Sequence, residues 1–303
     1  MTKRLADVSA RIEGIRQLGA VVNAMRGIAS ARAQQARSQL VAVESYSATI
    51  ALAIGRVIAL APSVGQDGAR KPTRPALVLF CAEQGFAGAF SERVLDAVGA
   101  ELAASVLFLV GSRGRAVAAE RGVAAHWNSA MPAQSLGVSR LADRIAEAIY
   151  ARIGAGGIDR LDAVFSQWRP AEGIHIVRRR LFPFDFQAFA HPTSGGAPLC
   201  NLPPDDLLRD ITADYMHAQL CDAALHAFAA ENEARVEAMA SARREIDRQL
   251  ALLRATQRQV RQEDITAEII ELAAGETASR TIGRSGGESR APRGEDVSRF
   301  PGD

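Results

Sequence analysis

The chain has 303 residues, 36 Lys and Arg against 34 Asp and Glu for a net charge of +2, and an apolar fraction of 48%. This length allows two ordinary domains, or one domain with long appendages. The balanced charge and the apolar fraction argue against an intrinsically disordered chain and against a DNA-binding protein held by overall positive charge.

The sequence also indicates the cellular compartment of the protein. No uncharged apolar run reaches the ~20 residues that a membrane-spanning helix requires, so we expect no span. The N-terminus lacks the apolar core and cleavage site of a signal peptide. Three cysteines (Cys81, Cys200 and Cys221) form an odd set without CxxC spacing, which is typical of a reducing compartment. These features predict a soluble cytoplasmic protein.

The first sixty residues are predicted to form one long helix. No proline occurs before Pro62, and apolar residues recur at steps of three and four along one helix side. This stripe comprises Leu5, Val8, Ile12, Ile15, Leu18, Val22, Met25 and Ile28. A helix this long cannot lie against an ordinary domain over its whole length, so it needs a partner helix.

A matching stripe occurs near the other end of the chain, where no proline appears between Pro204 and Pro292. Its spacing of three and four is that of a left-handed coiled coil. The seam comprises Val236, Met239, Ile246, Leu250, Leu253 and Val260, together with the polar Arg243 and Gln257. We therefore predict that the two terminal helices pair as an antiparallel coiled coil.

The middle of the chain has the alternation of a Rossmann-like parallel α/β domain. Predicted strands are Ala76–Cys81, Ser105–Val110, Val123–Trp127, Leu161–Ser166 and Ile174–Phe182, and predicted helices are Ser91–Ala103, Arg113–Arg121 and Leu136–Ile153. The predicted fold is thus α/β with long helical extensions. Its divisions are an N-terminal coiled-coil helix over 1–60, a linker over 61–75, the α/β domain over 76–204, a C-terminal coiled-coil helix over 205–275 and a disordered tail over 276–303.

Motifs for nucleotide binding or catalysis are absent from the sequence. Glycine pairs follow the first two predicted strands, as Gly85–Gly88 and Gly111–Gly114, but neither forms GxGxxG or ends in the lysine of a phosphate-binding loop. There is also no GxSxG nucleophile elbow. We interpret these glycines as residues that let the chain turn, and we predict no cofactor and no catalytic residue.

Two pairs of possible metal ligands lie on the last long helix. His217 and Cys221 are four residues apart, as are Asp222 and His226, which is ligand-like spacing. The two pairs point about 100° apart around the helix, so they do not converge on one ion. We therefore predict no metal site.

The first predicted helix is basic. Residues 1–56 contain eight basic and three acidic side chains, a net charge of +5. Such a helix is compatible with nucleic acid, anionic lipid, an acidic protein partner or an ordinary solvated face. No aromatic residues are interleaved with the basic ones, which argues against stacking on single strands.

One segment carries a specific resemblance. Arg261–Gly275 closely resembles the C-terminal signature of the gamma subunit of F-type ATP synthases, Arg-Gln-x-x-Ile-Thr-x-Glu-Ile followed by small residues and glycine. Ala234–Met239 is similar to the family's Ala-Arg-Met-x-Ala-Met, and Arg11–Gln17 and Asn23–Ala29 are similar to its opening helix. Cys81–Phe90 resembles a degraded form of the family's Ser-Asp-Arg-Gly-Leu-Cys-Gly-Gly turn.

The resemblance covers about residues 1–275 in the family's order. It implies the central rotor shaft of an F-type ATP synthase, which couples ion flow through the membrane ring of c subunits to ATP synthesis or hydrolysis. The implied partners are the ring of alpha and beta subunits, the epsilon subunit and the c ring, with no nucleic acid and no direct membrane span. The implied chain is a non-catalytic, peripheral subunit at the cytoplasmic face of the bacterial inner membrane.

The resemblance also implies contact residues. Arg261, Gln262, Thr266 and Glu268 match family positions that make polar contacts with the catalytic ring. A second group of small residues would rotate inside an apolar collar of the catalytic ring. A third group, called the lower group here, matches positions that face the lower, acidic lever of beta or that pack within the lower part of the shaft. The collar residues are Ala273, Ala274 and Gly275, and the lower group is Met25, Arg26 and Arg235.

Departures from the family pattern indicate a divergent branch. The stretch Ala20–Met25 lacks both lysines and the threonine of the family's Lys-Ile-Thr-Lys-Ala-Met, and Gly19 and Gly27 lie inside the predicted helix. Two other classes stay open from the residues alone: an α/β small-ligand-binding protein or enzyme with a helical dimerisation arm, and a coiled-coil nucleic-acid or scaffold protein. Neither has a motif of its own.

Overall fold

The computed structural model describes residues 3–60, 73–189 and 200–285. In chain order, two long helices precede and follow the strands of a five-stranded sheet. Helix α1 spans Lys3–Leu60 and helix α6 spans Pro204–Ser285. The prediction of long terminal helices around an α/β domain is confirmed. By their contacts the residues divide into two units, Met1–Gly19 with Arg244–Asp303, and Ala20–Arg243. Both long helices contribute to both units.

In the first unit the start of α1 pairs with the later part of α6. Arg4 forms an ion pair with Glu263 at 3.2 Å, and the amide of Gln257 donates to the hydroxyl of Ser9 at 2.9 Å. Position along α6 falls as position along α1 rises, so the two helices are antiparallel. Between them lie the buried side chains of Leu5, Ile12, Ile246, Leu250 and Val260.

In the second unit the antiparallel pairing has the same direction. Arg37 of α1 pairs with Glu233 of α6, and the amide of Gln219 donates to the hydroxyl of Ser47 at 2.7 Å. One stretch of α1 here buries small side chains, those of Ala29, Ala33 and Ala36. Small residues let two helices approach closely, as expected for helices packed without bulky ridges.

The buried stripe of α1 differs from the predicted one. Leu18 and Ile28 are exposed, whereas their neighbours Gly19 and Ala29 are buried. The buried residues keep a seven-residue repeat, as in Leu5, Ile12 and Gly19 and in Val22, Ala29 and Ala36, whereas the predicted stripe takes too many steps of three and moves off this seam. On α6 the predicted seam is correct: Met239, Ile246, Leu250 and Val260 are buried, and the remaining predicted positions are half-buried.

The sheet has the order β3-β2-β1-β4-β5. Its strands are β1 Pro75–Phe80, β2 Val106–Val110, β3 Trp127–Ser129, β4 Arg160–Arg169 and β5 Gly173–Phe182. The four strands β1 to β4 are mutually parallel, as predicted, with Val78 opposite both Phe108 of β2 and Ala163 of β4. The apolar residues of the central strands are buried on both faces, which explains their continuous apolar sequences.

The strand β5 is antiparallel to β4, so the expectation of one fully parallel sheet is wrong for this edge. Only residues 170–172 separate the two strands. A parallel connection needs a crossover of a dozen or more residues, and this turn allows only a hairpin. Ala171 adopts a positive φ of 64° within it.

Helices α2 Phe90–Val98, α3 Glu101–Ala104, α4 Ser112–Glu120 and α5 Val138–Gly154 connect the strands. The predicted helix over Ser91–Ala103 is interrupted at Gly99, which takes a φ of 58°. The predicted strand Val123–Trp127 is displaced, because β3 begins only at Trp127. Most of the predicted residues instead form the loop that follows α4, in which the backbone of Val123 bonds back to Ala118.

The sheet is covered differently on its two faces. One face packs against α5, α1 and α6 in a cluster that includes Phe80, Phe108, Ile145, Phe165 and Leu220. The other face packs against α2 and α4, and its cluster is built from shorter side chains such as those of Leu77, Leu95, Leu109 and Val117. Each such side chain contributes about 1.5–3 kcal/mol when fully buried, before entropy is subtracted.

Several predicted boundaries change. Strand β1 begins at Pro75, the last residue of the predicted linker, and residues 61–72 lie outside the described part. Helix α6 ends at Ser285 rather than at Gly275, so the first ten residues of the predicted disordered tail are helical. The remainder of that tail, 286–303, lies outside the described residues, and the domain division as a whole stays a prediction.

Candidate functional site

The edge of the sheet at which the parallel strands end is where α/β proteins bind nucleotides. At this edge Gly111, with a φ of 110°, and Gly114 let α4 approach β1. A Cβ on Gly111 would lie 2.5 Å from the carbonyl oxygen of Cys81, and one on Gly114 would lie 2.0 Å from the Cβ of Cys81. Close packing of α4 on β1 therefore accounts for this glycine pair.

The N-terminus of α4 is occupied by a carboxylate of the chain itself. Glu83 accepts hydrogen bonds from the backbone and the hydroxyl of Ser112 at 2.9 and 2.8 Å, and from the backbone of Met131 at 2.8 Å. The first amides of a helix attract anions, and a nucleotide phosphate uses these donors in related folds. Here an internal anion takes that position. The one sequence signal for Glu83 was its position two residues after the first predicted strand.

The turn after β1 is filled in a similar way, from α6. The carboxylate of Glu231 accepts hydrogen bonds from the backbone of Glu83 and of Gln84, both at 3.1 Å. Glu231 is 3% exposed, and the adjacent Ala230 packs in one cluster with Ala82, which follows β1, and with Trp168 of β4. The strand order reverses between β1 and β4. Helix α6 thus covers the crevice in which an open α/β sheet binds its ligand. Sequence analysis did not single out this residue.

The polar residues predicted to contact a catalytic ring lie on α6 in the first unit. Arg261, Gln262, Thr266 and Glu268 are all exposed. The hydroxyl of Thr266 donates to the carbonyl of Gln262, one turn earlier, at 2.8 Å. Its hydrogen-bond donor is therefore used within the helix.

The predicted collar residues Ala273, Ala274 and Gly275 follow on the same helix and are also exposed. Several large apolar side chains in this stretch share that exposure. They are Ile265, Ile269, Ile270 and Leu272, between 51% and 75% exposed. Exposed apolar groups at this density on one helix are typical of surfaces that bind another molecule.

The lower group of predicted contact residues lies in the second unit, whereas the other seven predicted residues lie in the first. Met25 is half-buried and Arg26 is exposed. Arg235 is buried, and its guanidinium donates to Glu231 at 2.6 Å, to the side chain of Asn232 at 3.0 Å and to the carbonyl of Gly85 at 3.3 Å.

The first pair of possible metal ligands belongs to a small polar cluster. His217 contacts the carboxylate of Asp143 at 3.0 Å and the sulfur of Cys221 at 3.3 Å. Burial, followed by the nearby carboxylates, raises the pKa of the Cys221 thiol to about 12. Burial and the charge of Glu231 likewise raise the pKa of the Cys81 thiol to about 12. Both thiols are therefore protonated near neutral pH, unlike metal-binding cysteines.

The second pair lies at a junction of α1, α6 and the sheet. Glu44, Asp222 and His226 place potential ligand atoms within 4.8 Å of one another. The guanidinium of Arg179 already pairs with Asp222 at 2.5 Å, and burial lowers the pKa of His226 more than the charge of Asp222 raises it. The carboxylate thus has a cation, and we interpret the cluster as an internal polar contact.

A buried carboxylate on β4 was not foreseen from the sequence. Asp162 is 2% exposed and is bound by Arg160 and Arg178 at 2.7 Å, with Arg180 at 3.4 Å. Arg178 also forms two parallel hydrogen bonds to Glu101. The only sequence signal was a carboxylate inside an apolar strand opposite a run of three arginines.

One described helix, α1, is long and apolar enough to span a membrane when judged by length and composition alone. A third of its most apolar window is buried inside the structure. An inner helix of a globular protein passes the same test, so the observation is weak, and the predicted lack of a span stays a prediction.

Taken together, these features define a class of protein. It has an α/β domain inserted in the sequence between two terminal helices that pair with each other, and its own carboxylates occupy the edge of the sheet at which related folds bind ligands. The family model described as ATP synthase matches residues 4–278. The chain therefore belongs to this ATP synthase family.

Curated relatives carry a more particular name. The ATP synthase gamma chain of Parafrankia sp. (strain EAN1pec) is 27% identical over 295 residues, covering 92% of this chain and 98% of its own. The ATP synthase gamma chain of Heliobacterium modesticaldum is 24% identical over 291 residues, covering 90% and 98%. The similarity thus extends along nearly the whole of each chain.

Solved structures show the same fold. A chain of the Euglena gracilis mitochondrial ATP synthase, in a structure of OSCP/F1/c-ring, matches with a TM-score of 0.59 at 15% identity, covering 97% of this chain and 99% of that one. A chain of the Tetrahymena thermophila mitochondrial ATP synthase central stalk/c-ring matches with a TM-score of 0.55 at 16% identity, covering 73% and 99%. At these identities the match concerns the fold.

Proposed function

We propose that this chain is the central rotor shaft, the gamma subunit, of an F-type ATP synthase. Its rotation couples ion flow through a membrane ring to ATP synthesis or hydrolysis in a ring of catalytic subunits. The observation that carries the proposal is the antiparallel pairing of the two chain ends around one α/β domain, in a chain that gamma chains match along nearly its full length.

The mechanism follows from asymmetry. A shaft with unequal sides presents a different face to each of three chemically identical beta subunits, so their nucleotide affinities differ and change as it turns. In energetic terms the shaft shifts populations through differential contacts. The partners are the alpha and beta subunits, the epsilon subunit and the c ring; the related solved structures contain F1, the c ring and the central stalk.

On this proposal the chain is non-catalytic, and it acts as a peripheral subunit at the cytoplasmic face of the bacterial inner membrane. The internal carboxylates at the edge of the sheet support the first statement, because they occupy the amides that a nucleotide phosphate needs. The bacterial gamma chains among the relatives support the second.

The exposed end of α6 is the contact surface for the catalytic ring. Arg261, Gln262, Thr266 and Glu268 supply polar contacts, and Ala273 begins the collar segment with Ala274 and Gly275. Their exposure on a helix that carries several exposed isoleucines supports this assignment. Of the lower group, Met25 and Arg26 face partners, whereas the internal bonds of Arg235 favour packing within the shaft.

Co-expression tests the assignment directly. The chain, tagged at its N-terminus and produced with the alpha and beta subunits of its own organism, is expected to co-purify with both and to stimulate ATP hydrolysis that the tagged chain alone lacks. A stable homodimer that binds neither subunit would instead support the small-ligand-binding alternative.

The Arg261→Ala variant tests the contact surface. Loss of one charged contact at an interface lowers ATP-driven rotation and coupled synthesis by about tenfold, for about 1.4 kcal/mol of lost interaction. The isolated variant keeps the unfolding temperature of the unsubstituted chain, because Arg261 is exposed. The matched control is Arg254→Ala, at an exposed position earlier on the same helix. Unchanged coupling in Arg261→Ala, or equal loss in both variants, would exclude this contact role.

A further inference from the structure

The turn after β1 and helix α6 are joined by a network of hydrogen bonds. Glu231 receives the two backbone amides of the turn and the guanidinium of Arg235, and Arg235 in turn donates to the carbonyl of Gly85. The side chains of Glu231 and Arg235 are 4% and 7% exposed. The turn is thus held through both its amides and a carbonyl by two side chains of one helix.

The network continues across the sheet through Glu83. While the backbone of Glu83 donates to Glu231, its side chain accepts from Ser112 at the start of α4 and from Met131 after β3. The ends of three parallel strands are thereby linked to α6 by an unbroken chain of polar contacts. We call Glu83, Glu231 and Arg235 the clasp.

The surroundings of the clasp are apolar and small. Ala230 and Ala234 of α6 pack against Ala82, Ala87 and Phe90 of the α/β domain. Contacts between alanines resist separation of the two surfaces, but smooth surfaces resist sliding poorly, since sliding exchanges one such contact for another. Hydrogen bonds have a directional requirement, so they fix the relative rotation as well. The bond between Arg235 and Glu231 is buried, which strengthens it.

We propose that the clasp fixes the rotational position of the α/β domain on α6, and that Glu83 and Glu231 are positioning residues for transmission of torque. This proposal rests on the proposed function as a rotor shaft. A shaft that receives torque at its α/β domain delivers it through α6 only if the junction does not yield. The clasp holds this junction at the strand ends, and the bonds of Arg179 to Gln219 and Asp222 hold it on β5.

The variants Glu231→Gln and Glu83→Ala, each in the full-length chain, test the clasp. At position 231 glutamine keeps the size of the side chain, but it offers one acceptor oxygen where the two amides of the turn bind two, and it places an NH₂ group against a donor. At position 83 both amides bind the same oxygen, so the whole carboxylate has to be removed. The control is Glu237→Gln, an exposed glutamate on α6. Glu83→Ala leaves the pair of Glu231 and Arg235 intact, so it serves if Glu231→Gln does not fold.

The first measurement uses the isolated chain and does not depend on its function. In Glu231→Gln, hydrogen exchange at the amides of Glu83 and Gln84 is expected to accelerate by about tenfold or more, because opening the turn no longer breaks bonds to a carboxylate. In Glu83→Ala, which removes the carboxylate oxygen that both bind, the accelerated amides are those of Ser112 and Met131. Exchange rates unchanged from those of Glu237→Gln would overturn the clasp.

The second measurement uses the assembled complex. With rotation stalled, the angular fluctuations of a probe on the α/β domain are expected to have about twice the variance in Glu231→Gln, which corresponds to half the torsional stiffness. Coupled ATP synthesis falls while assembly is kept. Faster exchange combined with unchanged stiffness would refute the torque role alone. Failure of the unsubstituted chain to assemble would refute the proposed function, while the exchange result would still decide the clasp.

Discussion

Asp162 is a charged residue at a position that the sheet would otherwise fill with an apolar one. Burial alone would raise the pKa of its carboxyl, but hydrogen bonds from Arg160 and Arg178 and their charges outweigh burial and lower the pKa. Burial of a carboxylate is tolerated when it is paired and hydrogen-bonded in this way. Its removal would leave three arginines without their shared partner.

The Asp162→Asn variant should therefore be less stable at pH 7, by about 1–3 kcal/mol, in urea unfolding. A carboxyl with a lowered folded-state pKa stabilises fully above its ordinary pKa and loses that contribution as pH falls through the folded-state pKa. The difference between the two proteins should be constant from pH 7 to about pH 5 and shrink below about pH 4. The exposed Glu147→Gln is the control; a difference that does not vary with pH would contradict this account.

The need for glycine at position 114 comes from the close approach of Cys81 and not from its backbone angles. The Gly114→Ala variant brings a Cβ to 2.0 Å from the Cβ of Cys81, so α4 and β1 must move apart. We expect the free energy of unfolding to fall by about 1–3 kcal/mol or more, as for other overpacked cores. Gly154→Ala, where no atom lies within 4 Å of the added carbon, is the control and should change stability by no more than about 1 kcal/mol. Equal effects would exclude the packing explanation.

At the scale of the element, the pairing of α1 with α6 depends on a narrow seam. Leu250 lies in it and is 7% exposed, whereas Leu252, two residues further along, is 64% exposed. Leu250→Ala should destabilise the first unit by about 2–5 kcal/mol, and Leu252→Ala should stay within about 0.5 kcal/mol. Hydrogen exchange along residues 244–263 measures both. Similar exchange in the two variants would show that these helices do not pair in solution.

Periodicity predicted the long helices and the seam of α6, because a repeated spacing over many turns is a strong signal. It misplaced the stripe of α1 at Leu18 and Ile28, because the seam there uses Gly19 and Ala29, and a search for large apolar residues selects their neighbours instead. The wrong position predicted for strand β3 has a different cause. Its three residues, Trp127–Ser129, carry less apolar signal than the loop before them.

The contacts at the edge of the sheet could not be predicted from the sequence. Glu83 and Glu231 are 148 positions apart, and no local pattern states that the carboxylate of one meets the backbone of the other. The sequence analysis interpreted Gly111 and Gly114 as residues that let the chain turn, and the close approach of Cys81 to both could be seen only in the structure. Local signals find elements, whereas the partners of a buried charge are set by the tertiary fold.

For the whole molecule, the exposed apolar residues near the end of α6 have a measurable consequence. Ile269 and Leu272 are 60% and 75% exposed and bury little in the isolated chain. The double variant Ile269→Ser, Leu272→Ser should therefore keep the unfolding temperature within about 2 °C. Its yield of complex with the alpha and beta subunits should fall about tenfold or more, since burial of each side chain is worth about 1.5–3 kcal/mol. Leu136→Ser, exposed on the α/β domain, is the control; full assembly of the double variant would show that this stretch is not covered.

The three thiols differ in a way that bears on experimental design. Cys81 and Cys221 are buried and protonated, whereas Cys200 is exposed. Maleimides react with an accessible thiolate, so a dye or bead handle added at neutral pH attaches at Cys200. Turning could thus be followed optically on the natural sequence, without an engineered cysteine and without replacing the other two.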